Sequence, residues 1–522
     1  MPINPNTDKN YIVWQPLIVA IAAAIGLIAG YKMNFANNDL SLIKLNNAEV
    51  PTAADGRIEE ILRFVESNYV DSLDQDEMTI DAINHILRQL DPHSSYITPE
   101  ELTDHNEKME GKYKGIGIET IKLRDTFYIT RLVPNGPADK IGLQVGDAIL
   151  SIEDQELAGN ESSFDDMRQY LNGDKKLDFL KIRFLKLDGK EEIVDTLGPR
   201  YIEIASAKKS YLVDDNTAYI KLTRFSANTY AQFMKSVEVL LSDKEKINLI
   251  IDLRDNPGGY LPQAINILCQ LFDEKDKLLT YTEGLNRKKA EYRTTGKVFF
   301  NIDKVAILTN ANSASGSEIL AAAIQDWDRG YVIGESTYGK GLVQQIFPLT
   351  NGGALRLTIA KYYTPSGRLI QKSYNNINND FVADTSRYET RILSRSVDGG
   401  GGVDPDYEIQ DVYNEACLDY EDYVDFYLID LMKQFKTSRI DHNQISLDAF
   451  NKFINDEFEG DSDALELTCD ADIIELIEAR MTRMQKGENE YQELRNQNDP
   501  YIIKALELIK NNKTTLALLS EK

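Results

Sequence analysis

The chain has 522 residues, with 58 Lys+Arg against 84 Asp+Glu and a formal net charge of −26. That length predicts about three domains at roughly 100–200 residues each, and 42% hydrophobic residues with 9% aromatics suffices for packed cores. The acidity excludes a nucleic-acid backbone as main partner, since phosphates are repelled; Cys269, Cys417 and Cys469 lack C-x-x-C spacing and four scattered histidines (His85, His93, His105, His442) lack ligand spacing, so neither a disulfide scaffold nor a metal site is expected.

Ile12 to Gly30 reads IVWQPLIVAIAAAIGLIAG, nineteen positions without a charge. At ~1.5 Å per residue this spans a hydrocarbon core of about 30 Å. A cleaved signal peptide wants a shorter apolar run and a small-x-small site, so residues 1–33 read as a signal anchor that exports the rest of the chain. Residues 34–55 read as a tether. Over 56–109 the pattern is helical: Ile58, Ile61, Leu62 and Val65 recur at helix spacing, as do Ile80, Ile83, Ile86, Leu87 and Leu90, and Asp91-Pro92 stops the second helix.

From Gly115 the period becomes strand-like. Short strands are expected at Gly115–Glu119, Phe127–Arg131, Ala148–Ile152 and Asp178–Phe184, with a turn at Pro134–Pro137, a helical turn at Ala138–Ile141 and a helix at Phe164–Leu171. The run over 110–198, with GPADKIGLQVGDAIL after Gly-Ile-Gly-Ile, resembles a PDZ domain. That resemblance implies a carboxylate-binding loop at Gly115, Ile116, Gly117 and Ile118, and a peptide added as an extra strand.

Over 199–409 strands and helices alternate: strands at Thr217–Leu222, Ile247–Leu253, Lys304–Thr309, Tyr331–Gly334, Leu342–Pro348 and Ala354–Thr358, and helices at Ala227–Leu241, Leu261–Phe272 and Ser317–Asp326. This is an α/β core around a buried sheet. Beyond residue 410 an acidic, helical extension follows; residues 404–522 hold 28 acidic and 12 basic residues, about −16 of the total charge.

Three segments of the core are candidates for chemistry. Ile251 to Gly259 is an apolar strand running into a Gly-Gly turn, where backbone N–H groups can face an anion. Asn312 to Glu318 is a small-residue elbow at a helix start; Ser315 is its candidate nucleophile and the Gly316 N–H a candidate oxyanion donor, while Ser313 and Ser317 read as N-cap residues. Gly334 to Gly341 matches GxxxxGK, yet Gly341 replaces the Ser/Thr magnesium ligand and a strand, not a helix, follows. A phosphate loop is therefore excluded. Lys340 instead suits a general base for a serine if burial lowers its pKa from ~10.4 to ~7–8.

Together these segments resemble the carboxyl-terminal processing peptidases, or tail-specific proteases, which use a Ser/Lys dyad. The resemblance covers roughly 56–410 and includes LDPHSSYITPEEL, Asp-Leu-Arg-x-Asn-Pro-Gly-Gly, SASGSEI, Tyr338–Gly341, Tyr362–Arg368 and Gly399–Asp406. It implies Ser315 as nucleophile, Lys340 as base, Gln344 to orient the lysine, and oxyanion N–H groups from Gly316 and from Gly258 or Gly259. The family often carries Ala where this chain has Gly316. The resemblance further implies no cofactor and protein or peptide substrates with accessible C-termini; with the apolar segment Ile12–Gly30 the chain reads as a bacterial protein exported, anchored in the inner membrane and facing the periplasm. The alternatives are a catalytically silent PDZ scaffold that binds C-termini without turnover, and a serine hydrolase that uses a distant histidine such as His93.

Overall fold

The computed structural model describes residues 56–522 except 154, 160–161, 173–178, 208, 242–243, 375–380, 383–385, 410–419 and 459–469. The apolar segment 12–30 and the tether 34–55 lie outside the described residues. Among those described, no helix is long and apolar enough to cross a membrane.

Contacts divide the chain after Asp81. The described part of the first unit contains helix Arg57–Asn68, on which no residue is buried, and the start of helix Gln75–Arg88. Everything else forms the second unit.

At the centre of that unit lies a six-stranded sheet, in the order Lys209–Asp214, Thr217–Lys221, Ile247–Asp252, Ile302–Thr309, Tyr331–Gly334, Tyr407–Glu408. The first pair is antiparallel and the other four are parallel. Parallel strands are covered on both faces, which is why Leu249–Ile251 and Val305–Leu308 are continuously apolar and buried. Helices Thr229–Leu241, Leu261–Leu271 and Gly316–Asp326 contribute Phe233, Leu268 and Leu320 to one core. The other core is closed by the C-terminal helices Pro500–Lys510 and Thr515–Ser520, through Tyr501, Ile502, Ala505, Leu508 and Leu519 against Ile250, Leu308 and Ile333. The end of the acidic extension is therefore part of the α/β core, not a mere appendage to it. Its apolar residues recur at helix spacing and face the sheet, and buried Asp499 pairs with Arg254 of the core.

Strands Ile247–Asp252, Ile302–Thr309 and Tyr331–Gly334 are in register, with Asp252 opposite Leu308 and Thr309 opposite Gly334. Their carboxyl ends therefore deliver the three chemically suggestive loops to one edge, where open α/β sheets bind ligands.

Strands Leu342–Pro348 and Ala354–Tyr363 are not in that sheet. They belong to a separate antiparallel sheet with Ser95–Ile97 and the hairpin Lys275–Gly284/Arg287–Thr295. The second strand is longer than the expected 354–358. The second strand of the hairpin, Arg287–Thr295, is rich in charged and Thr residues and largely exposed, so it offers no apolar alternation to read.

The PDZ-like part is a sheet in the order Ile118–Leu123, Thr126–Leu132, Ala148–Ile152, Leu180–Leu185, Glu192–Leu197, packed with helix Phe164–Asn172 around Phe127, Ile129, Ile149 and Phe184. The expected strand Gly115–Glu119 divides in two. Lys112–Gly115 pairs instead with Arg200–Glu203, so the strands entering and leaving the domain form a ribbon. Helices Glu421–Phe435, Leu447–Glu457 and Asp470–Gln485 form a cluster that takes in Ile121, Leu123, Tyr128 and Leu187 of this domain.

Candidate active site

Ser315 stands at the junction of strand Ile302–Thr309 and helix Gly316–Asp326, with φ 53° and ψ −108°. A non-glycine residue there costs of order 1–3 kcal/mol and persists only where its surroundings fix it. The fixing is visible. Ser313 Oγ donates to Leu253 O at 2.9 Å and accepts from Asn310 N at 3.0 Å, while Ser317 Oγ donates to Asn256 O at 2.9 Å. Neither serine is the N-cap that the spacing suggested; Ser315 occupies that position, and its neighbours pin the elbow to the loop after Asp252.

Gly258, at φ 93°, packs against the elbow so closely that a Cβ would stand 2.7 Å from Ser315 Cβ and 2.9 Å from Gly316 N. Its N–H is already donated to Asn256 Oδ1 at 2.9 Å, and Asn256 Nδ2 donates to Leu222 O at 2.9 Å. By contrast, the N–H groups of Gly259 and Gly316 meet no acceptor among the described residues.

One residue that sequence reasoning passed over organises the site. Glu318 is fully buried, and its carboxylate accepts four hydrogen bonds: Ser315 N and Lys340 N at Oε2 (2.7 and 2.9 Å), Thr337 Oγ1 and Gly339 N at Oε1 (both 2.7 Å). Burial pushes its pKa up, and the four donors oppose that push. Three of the four are amides that cannot accept a proton, so the arrangement suits the anion. The Ser-x-x-Glu spacing was a signal for it, read only as helix capping. Tyr362, also buried, places its hydroxyl between Ser315 O (3.2 Å) and Lys340 O.

Lys340 is half-buried, and Nζ donates to Gln344 Oε1 at 2.7 Å. Gln344 Nε2 donates to His93 O at 2.8 Å, which fixes the amide so that its oxygen faces the lysine. His93 O is held in turn by a turn built on Asp91: Oδ1 accepts His93 N and Ser94 N, both at 2.8 Å, and Oδ2 accepts Ser94 Oγ at 2.7 Å. The Asp-Pro-His-Ser-Ser motif thus acts through a carboxylate and a backbone carbonyl. The His93 imidazole lies 6.2 Å from the Tyr338 ring. Burial pulls the Lys340 pKa down, the Arg356 charge adds to that, and Glu318 and Asp91 act against it.

Behind the first loop, fully buried Asp252 accepts from Arg254 N, Arg254 Nε and Tyr219 Oη at 2.9, 3.0 and 2.7 Å. Burial opposes its ionisation, but Arg254 and Lys221 outweigh that and hold the carboxyl well below the usual range. Arg254 also pairs with Asp499 at 2.7 Å and lies 4.6 Å over the Tyr501 ring.

Gly115, Ile116, Gly117 and Ile118 line a groove of about 380 Å³ with Phe164, Met167 and Leu171. The N–H groups of Ile116 and Gly117 meet no acceptor among the described residues.

The comparisons set this arrangement in the class of PDZ-bearing serine peptidases. Residues 216–383 match Peptidase family S41 and residues 128–179 match the PDZ domain. A carboxy-terminal-processing protease of Bartonella bacilliformis is 33% identical over 337 residues, covering 63% of this chain and 75% of that protein. The carboxy-terminal processing protease CtpB of Bacillus subtilis is 28% identical over 371 residues, covering 69% and 76%. A solved photosystem II D1 C-terminal processing protease aligns at 23% identity and TM-score 0.36, over 69% of this chain and 94% of that one, a likeness too loose to weigh. The chain belongs to the carboxy-terminal processing proteases of peptidase family S41.

Proposed function

We propose that Ser315 is the nucleophile of this protease and Lys340 its general base. The observation that carries the assignment is the Glu318 carboxylate, which binds the Ser315 and Lys340 amides on one oxygen and so sets nucleophile and base around a single buried anion. Neutral Lys340, favoured by its burial, takes the Ser315 hydroxyl proton as Oγ attacks the peptide carbonyl. Gln344, accepting one N–H of the amine, positions the base. The carbonyl oxygen gains charge opposite the unengaged N–H groups of Gly316 and Gly259; Gly258 is the weaker candidate because Asn256 already holds its N–H. The protonated lysine returns its proton to the departing amine, and water then hydrolyses the acyl-enzyme.

The Gly115–Ile118 groove takes the substrate's C-terminus, its carboxylate on the free amides of Ile116 and Gly117 and its apolar side chain against Phe164, Met167 and Leu171. Export and anchoring by Ile12–Gly30, which place the enzyme in the periplasm, complete the reading and rest on those nineteen charge-free residues.

The test compares wild type, Ser315→Ala and Lys340→Ala on an unfolded protein with an apolar C-terminus, with cleavage sites mapped by mass spectrometry. Each variant is expected to lose at least ~10³-fold in kcat while still binding the C-terminal peptide. Full activity in either variant overturns the dyad. Binding without turnover by wild type points to a silent scaffold.

A further inference from the structure

A second cleft, of about 600 Å³, shares Asp104 and Lys108 with the groove, and its cations set it apart. Arg88, Lys108, Arg224 and Arg356 line it with His105, against two carboxylates, Glu101 and Asp104. Glu101 is occupied at the adjoining helix start, where Oε2 accepts Thr98 N at 2.9 Å. Among the described residues, the guanidinium groups of Arg224 and Arg356, both half-buried, have neither a hydrogen bond nor an ion pair. This is anomalous in a chain of net charge −26. Other shielded arginines are engaged inside the protein: Arg254 on Asp252, Arg368 on Asp326, Arg395 on Asp328 and Arg480 on Asp425, while Arg329 donates to the backbone carbonyls of Leu271, Ile302 and Asp303. Burial lowers the Arg224 pKa with no carboxylate opposing it, and His105 is lowered by burial and by Arg356, Arg224 and Lys108.

The cleft adjoins both the groove and the elements that carry the site. Asp104 and Lys108 line both it and the peptide groove. Arg224 immediately precedes Phe225, whose backbone bonds to Gly258 O and Tyr260 N at 2.9 and 2.7 Å, on the oxyanion side. Arg356 stands two residues from Thr358, the strand partner of Gln344, and so shares a sheet face with the residue that holds Lys340.

We propose that this cleft binds acidic side chains of the substrate, so that the enzyme prefers tails carrying Asp or Glu between the C-terminal residues and the scissile bond. The proposal rests on the reading above that a tail held in the groove is cut at Ser315. Desolvated cations without internal partners gain most from an incoming carboxylate.

The test measures binding to the full-length Ser315→Ala protein of two labelled peptides with the same apolar C-terminus, one preceded by three Glu and one by three Gln. The Glu peptide is expected to bind about tenfold more tightly at low salt, with the difference collapsing at high salt. Arg224→Gln should remove most of that preference and Arg224→Lys should retain it, while unchanged affinity for the Gln peptide reports an intact fold. Equal binding of the two peptides overturns the proposal, as does a preference that survives Arg224→Gln. Displacement of the Glu peptide by inorganic phosphate at matched ionic strength also overturns it and assigns a small-anion site. Because binding is read without turnover, an error in the dyad assignment leaves this result intact.

Discussion

Around Glu318 four donors converge on one buried carboxylate and no space is left, whereas the groove at Gly115–Ile118 keeps about 380 Å³ open with the Ile116 and Gly117 amides unengaged. The first arrangement is finished before any substrate arrives. The second is completed only by a ligand. Substitutions near Glu318 should therefore act on kcat and on stability together, and substitutions in the groove on KM alone.

The sharpest break in that contrast is Glu318→Gln. A glutamine offers one acceptor oxygen and an NH2 group, so at least one of the four present donors would face another donor. A buried donor left unpaired costs ~1–3 kcal/mol. Loss of the Ser315 and Lys340 anchors is expected to lower kcat by about 10²-fold, with KM little changed. Peptidase kinetics and denaturant unfolding on the same preparation check both effects. An unchanged kcat beside a lowered stability would reduce Glu318 to a helix cap.

A pH profile comes next. The active base is neutral Lys340, and its pKa is lowered by burial and by Arg356. Activity should therefore rise about tenfold per pH unit on the acid limb and level off below the ordinary lysine value of ~10.4. Arg356→Gln removes a like charge, raises that pKa and moves the limb to higher pH. A limb unmoved by Arg356→Gln would count against Lys340 as the titrating base.

Much of this organisation could be read in the residues themselves. The apolar runs Ile247–Leu253 and Lys304–Thr309 marked buried strands, and the common carboxyl edge that their parallel pairing creates explains why motifs sixty residues apart meet. What escaped reading shares a cause: function carried by groups that also have an ordinary use. Glu318 looks like a cap because it is one. His93 acts through its carbonyl, to which side-chain chemistry gives no clue. Strand Arg287–Thr295 of the hairpin is exposed along most of its length, and so carries no alternation. The helical character of the region around Pro500–Lys510 was legible, but its summed charge hid the packing on the sheet, although Tyr501, Ile502, Ala505, Leu508 and Ile509 describe a buried stripe.

On the groove side, Phe164→Ala is the corresponding test. Phe164 is 48% exposed and forms part of the groove wall, so truncation takes little from the fold while removing ligand contact. Burying a large apolar side chain is worth ~1.5–3 kcal/mol, and partial loss of that contact predicts a KM raised about five- to tenfold at unchanged kcat. A fall in kcat at saturating substrate would mean that groove and junction are not separable.

The mildest change falls where the two requirements meet. Gly316 is helical, so alanine suits its backbone, and the family often has Ala here. In this chain an added Cβ would stand 3.0 Å from Phe225 Cδ2, close enough that the ring must give by a few tenths of an ångström. Phe225 has little freedom, because it is fully buried and its backbone bonds on both sides to the Gly258–Tyr260 turn. Any displacement therefore passes to the turn that carries the second proposed oxyanion amide. Gly316→Ala is expected to lower kcat two- to fivefold, equivalent to about 0.4–1 kcal/mol in the transition state, with KM unchanged. Phe225→Leu combined with Gly316→Ala relieves the contact and should recover most of that loss. If the double variant is no faster than Gly316→Ala alone, the ring is not what couples the elbow to the turn.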